Sequence, residues 1–368
     1  MHDPATIRAA QFVLPCDDLD PTLAFFVDRL GFRLDAIFPA DDPSVAMLSG
    51  HGVTVRLDGS INGSAGRIRL LCDDSGSAGT IVAPNGTVIE IVPADPPIVV
   101  PPVVEELVIN RRHDGARWIV GRAGMRYRDL IPGRLGGSFI ASHIHIPDAG
   151  PVPDYVHFHH VRFQMIFCVN GWVRLVYEDQ GEPFVLEAGD CVLQPPRIRH
   201  RVLECSADLE VVEIGSPAEH ETIVEHAIEL PTAELLPDRD FTGQRFTRHQ
   251  SSRATWQAWH RSGFEQRDLG IGEATGGLAG ARVVRPEVSP SGYPTGHPSG
   301  DRLAHDTEFQ FLFVLRGTAS LDTGTDDVVR LERGDAASIP AAVRWVLRDN
   351  SPDLELLDVT LPAHVSPR

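Results

Sequence analysis

Asp154–Gly171, DYVHFHHVRFQMIFCVNG, followed by Gly189–His200, GDCVLQPPRIRH, is the stretch from which the rest of the chain can be read. His157 and His159 lie two residues apart on an expected strand. Strand side chains alternate faces, so both imidazoles point to one side. A third imidazole, His200, brought in from a neighbouring strand, completes one face of a metal ion. A lone histidine is more often a hydrogen-bonded core group, but three at ligand spacing favour a metal site. Strand parity places Ile166 and Cys168 with Gln164, and Val202 with His200, as candidate substrate contacts. Tyr155 is expected at the mouth of the same cavity.

Working outward, the chain repeats itself, and repeats reveal architecture before any single motif does. Gly124, Arg128, Asp129 and Leu130 recur as Gly263, Arg267, Asp268 and Leu269. His159, Gln164 and Gly171 recur as His305, Gln310 and Gly317, and Gly189, Asp190 and Pro195 as Gly334, Asp335 and Pro340. Where the first copy has His157 and His200, the second has Leu303 and Trp345. Neither replacement is a metal donor, so the second copy is read as metal-free. The loop PSGYPTGHPSG, residues 290–300, is read as a small insertion ahead of His305.

These spacings resemble the cupin superfamily, whose small β-barrels carry His-x-His-x4-Glu before one glycine and Gly-x5-Pro-x4-His after it. Here Gln164 stands where that pattern has its glutamate ligand, so the resemblance makes Gln164 the candidate fourth ligand through its carbonyl oxygen; alternatively it leaves that position to water and donates a hydrogen bond to substrate or dioxygen. An amide is a poor base, so Gln164 is not expected to abstract a proton. The resemblance implies a mainly-β fold of two tandem cupin barrels, a bicupin. With three histidines it implies a non-heme Fe(II) dioxygenase, with Zn, Ni or Mn as other metals. The substrate would be a small anionic chelator: a diketone, an enol or a hydroxy-aromatic acid. With glutamine in place of glutamate, the site keeps about two positive charges, which favours such an anion. Two alternatives stay open: an oxygen-independent isomerase or lyase, and a non-catalytic small-molecule binding module.

Ahead of the repeat, residues 1–93 read as a strand, a helix over Leu19–Leu30 and several further strands. Asn85-Gly86 reads as a hairpin turn. This order resembles half of a vicinal-oxygen-chelate (glyoxalase-like) protein, making a small α+β domain. Glu90 sits where that family often has a metal ligand, but the usual first-strand histidine is absent, so a scaffold or dimerisation role is expected. Residues 94–104, rich in proline, read as a linker. Residues 105–228 then form the first barrel, 229–257 a connector and 258–368 the second barrel. A helix is expected in PAEHETIVEHAIEL, residues 217–230.

Composition narrows the function. The net charge of −18 on 368 residues disfavours nucleic acid and anionic membranes. Every basic residue is arginine, so lysine Schiff-base chemistry and lysine-bearing phosphate loops are excluded. No apolar run approaches the roughly 20 residues that cross a bilayer. The cysteines number five, with no Cys-x-x-Cys pair, and read as reduced thiols. The expected protein is a cytoplasmic homodimer acting on a small molecule and O2.

Overall fold

The computed structural model describes residues 4–115, 117–287, 302–324 and 328–365. The insertion at 290–300 lies outside the described residues. The chain divides into two compact units, Met1–Pro97 and Ile98–Arg368. Among the described residues no helix is long and apolar enough to cross a membrane.

In the first unit, the strand Phe12–Pro15 leads into the helix Leu19–Ala24, which continues through Phe25–Arg29. Gly31, at φ 74°, then takes the left-handed conformation that ends the helix. Strands Arg33–Phe38, Val45–Gly50 and Val53–Asp58 follow, and the last pairs in parallel with Phe12–Pro15. A second group repeats the plan without a long helix. Arg67–Cys72 pairs in parallel with Val88–Pro93, and Gly79–Val82 pairs antiparallel with it. Phe26, Leu48, Val55, Leu57 and Ile89 are buried in one core. Glu90 is held by Arg67 and Arg69, so its carboxylate is already compensated.

Among the described residues of the second unit, each half builds a seven-stranded sheet and a smaller one. Phe163–Asn170 shows why this sequence makes such a sheet. Phe163, Met165 and Phe167 point one way and pack with Phe309, Phe311 and Phe313, the matching face of the second half's Phe309–Arg316 strand. Gln164 and Ile166 point the other way, into their own barrel. A strand buried on both faces reads as a nearly continuous apolar run, as this one does. Phe139 and Phe309 stack at 4.2 Å in the same shared core.

The two barrels also exchange strands. Val108–Asn110, which sequence grouped with the first barrel, pairs with Ala336–Ser338 of the second. Thr247–His249, read as connector, pairs with Cys191–Leu193 of the first. The repeated aspartates fasten both exchanges. Asp190 accepts from the Ser251 amide at 2.8 Å, and Asp335 from the Arg112 amide at 2.7 Å. One expectation is corrected: residues 217–230 contain no helix. Thr222–Val224 is a strand paired with His157–His159, because pairing along that barrel edge satisfies its backbone better than an isolated turn.

Candidate metal centre

The three imidazoles meet because two strands pair at one rung. His157 lies opposite His200, and His159 follows on the same face of the same strand. All three side chains are buried, and their ligand atoms lie within 4.8 Å of one another. The second barrel has the same rung, with Leu303 bridged to Trp345. The register therefore confirms that leucine and tryptophan occupy the places of His157 and His200.

Hydrogen bonds determine which nitrogen faces inward. His157 Nδ1 donates to the Tyr155 carbonyl at 2.8 Å, and His200 Nδ1 to the Ile198 carbonyl at 2.9 Å. A carbonyl only accepts, so both rings carry hydrogen on Nδ1 and turn the Nε2 lone pair into the cavity. His157 Nε2 is buried with no hydrogen-bond partner among the described residues. His159 Nδ1 is bonded to the Thr222 hydroxyl at 3.1 Å, which allows the same tautomer. Buried lone pairs directed at a common point, one of them orphaned, fit a metal ion. In the second barrel His305 is spent differently: Nε2 donates to the Ile339 carbonyl and Nδ1 accepts from Thr307.

Burial, reinforced by the neighbouring imidazoles, holds His200 well below the ordinary value of 6.5 and His159 down to about 2. Burial and then the Arg122 charge lower His157. The rings stay neutral at physiological pH, as ligation requires. The sign of the pH effect follows. Below about pH 6.5 the unfolded chain binds protons that the folded metal-free protein refuses. Stability is therefore complete above that value and falls on acidification, by about 1.4 kcal/mol per pH unit for each imidazole until its folded value is reached. Denaturant titrations at pH 7.5 and 5.5 are expected to show this loss, and a shallower one in His200→Leu. Equal slopes in the two proteins would contradict it.

Gln164 lines the cavity, and its Nε2 donates to Glu213 Oε1 at 2.6 Å. A carboxylate only accepts, so the amide's NH2 faces Glu213, which leaves the carbonyl oxygen and the second N–H for a ligand. The second barrel keeps this pair as Gln310 and Asp358, at 3.3 Å. The recurrence of an acid at the two equivalent positions was a sequence signal for Glu213 that residue-by-residue reading missed. In the metal-free protein, Gln164→Glu would set two carboxylates against each other and strip Glu213 of its donor, costing about 1–3 kcal/mol. A bound divalent ion relieves that repulsion. Melting temperature is therefore expected to rise more on adding Mn(II) to Gln164→Glu than to the parent. An equal rise in both would refute the charge argument.

The cavity around the triad measures about 680 Å³. Ile166 and Val202 line it, as parity predicted. Tyr155 and Cys168 do not. Tyr155 is half exposed and contributes its carbonyl to His157 instead. Cys168 packs within the apolar cluster behind the lining, where burial pushes its thiol up to about 12. Sequence reasoning missed Thr222 and also Arg122, which lines the cavity and pairs with buried Asp154. Asp154 in turn accepts from the Val202 amide at 3.0 Å and lies 3.7 Å from His157 Nδ1.

No family model and no curated protein matches the sequence. Among solved structures, the chain is similar to a glycine-to-alanine variant of salicylate 1,2-dioxygenase from Pseudoaminobacter salicylatoxidans. The TM-score is 0.51 at 15% identity, over 74% of this chain and 90% of that one. It is also similar to a tryptophan-to-phenylalanine variant of oxalate decarboxylase from Bacillus subtilis. There the TM-score is 0.50 at 11% identity, over 74% of this chain and 80% of that one. With its paired repeats and exchanged strands, the chain has the mainly-β, two-barrel cupin fold.

Proposed function

We propose that this chain is a metal-dependent dioxygenase in which His157, His159 and His200 of the first barrel hold Fe(II). The observation that carries the reading is the convergence of three neutral, buried imidazoles on one point of a large cavity. When bound, the ion supplies Lewis acidity toward an enolate or phenolate and the electrons that dioxygen chemistry needs. The chain's own residues do the rest. The Tyr155 and Ile198 carbonyls and the Thr222 hydroxyl orient the ligand rings. Glu213 aims the Gln164 carbonyl oxygen, which accepts a hydrogen bond from substrate or contacts the metal. The Arg122–Asp154 pair adds no net charge, and three neutral ligands leave the ion's charge, offset in part by Glu213 behind Gln164, for an anionic chelate.

The second barrel then serves as a structural partner. The N-terminal unit is a glyoxalase-like scaffold, a reading supported by its two groups of strands, each with its first and last strands parallel. Five free cysteines fit a reducing, cytoplasmic setting. Oxygen-electrode assays of protein loaded anaerobically with Fe(II) test the reaction across diketones and hydroxybenzoates. Uptake equimolar with substrate loss is expected. Turnover that continues without oxygen would replace this reading with a lyase or isomerase, and binding without turnover would replace it with a binding module.

A further inference from the structure

Strand register gives the cavity a direction. His200 lies opposite Tyr177, and Val202, two residues on, lies opposite Leu175. On the facing sheet, Gln164 lies opposite Gly215, and Glu213, Val211 and Leu209 follow at two-residue steps. Each step is about 6.6 Å along a strand, so Leu209 lies about 20 Å of strand beyond the partner of Gln164. From Val202 and Leu175 onward the lining is mainly apolar, with Val173, Val211 and Ile144 all facing the cavity. Of the charged side chains in the lining, Arg122 pairs with Asp154, Arg134 with Asp129 and, at 3.9 Å, with exposed Glu219, and Glu213 with Gln164.

The second barrel shows that the fold does not require this space. Its matching rungs carry Leu321, Leu347, Leu354 and Leu356, which pack with Trp345 and Trp259 into a solid core. A cavity of about 680 Å³ is the size that encloses a drug-sized ligand, far more than a two-carbon acid or a five-carbon diketone fills. Resting on the metal reading above, we propose that the substrate carries one chelating head on an apolar aryl or alkyl body that lies along Leu175, Val173 and Val211.

The test is a homologous series of alkyl hydroxamates, from acetohydroxamate to decanohydroxamate, titrated calorimetrically into Fe(II)-loaded protein under anaerobic conditions. Affinity is expected to rise about fourfold per methylene, matching about 0.8 kcal/mol per buried CH2, until the cavity is full. In Val173→Trp, or in Val211→Phe should the first fold poorly, the long chains are expected to lose about tenfold or more. Acetohydroxamate affinity and metal content should hold in both. A flat series on a protein that binds acetohydroxamate overturns this inference and leaves the metal reading standing. Acetohydroxamate binding that is as tight in metal-depleted His200→Ala as in the Fe(II)-loaded parent, with the chain-length dependence intact, supports the apolar cavity and overturns the metal reading. No binding by any member overturns the inference.

Discussion

His200→Ala is expected to abolish metal retention while leaving the protein folded. Removing one of three neutral donors leaves two imidazoles, and Gln164 cannot make up for the third. Loss of groups that merely orient a ligand costs metal proteins about 10–100-fold in affinity, so loss of the ligand itself should cost at least about a hundredfold. The structural cost is smaller. The ring forfeits one hydrogen bond, to the Ile198 carbonyl, and leaves a hole beside an existing cavity rather than within a packed core. It also takes with it a buried group that burial already disfavours in its charged form. Elemental analysis after dialysis, with thermal melting as the control, checks both halves. Stoichiometric metal at parental affinity in folded His200→Ala would end the assignment of the triad.

The same rung in the second barrel should behave in the opposite way. Trp345 is fully buried in a solid cluster, and the Arg261 guanidinium lies 3.7 Å over its ring. Arg261 also donates to the Trp345 carbonyl at 3.2 Å, and burial lowers its pKa to about 10. Trp345→Ala empties that place and removes the aromatic face on which a buried cation rests. Truncations of this kind cost about 3–5 kcal/mol, a large share of the 5–15 kcal/mol that holds a typical domain together. Denaturant unfolding is expected to show this loss, with the metal content of the folded fraction unchanged. A loss below about 1 kcal/mol, the ordinary cost of a substitution, would mean the second barrel's interior is not the packed core described here. Two equivalent positions would thus separate, one serving ligation and the other packing.

Why the sequence was legible in some places and not in others follows from the distance over which each signal acts. The His-x-His spacing, the internal repeat and the exchange of His157 and His200 for Leu303 and Trp345 depend on strand parity and on counting residues. They determined the two barrels, the triad and its absence from the second copy. Parity also puts Ile166 and Val202 on the cavity face, which both line. It failed for Cys168, because sharing a face with the cavity is not the same as lining it, and other side chains intervene. It failed for residues 217–230, because a short strand at a barrel edge is made by its partner and carries little periodicity of its own. Thr222, Arg122 and Glu213 come from segments distant in sequence, and only the closed barrel brings them to the imidazoles. The tautomers, the Gln164–Glu213 bond, the strand exchange and the apolar depth of the cavity were likewise decided by tertiary structure. Each depends on which groups face one another across the fold, and a linear pattern with a period of two residues holds no record of that.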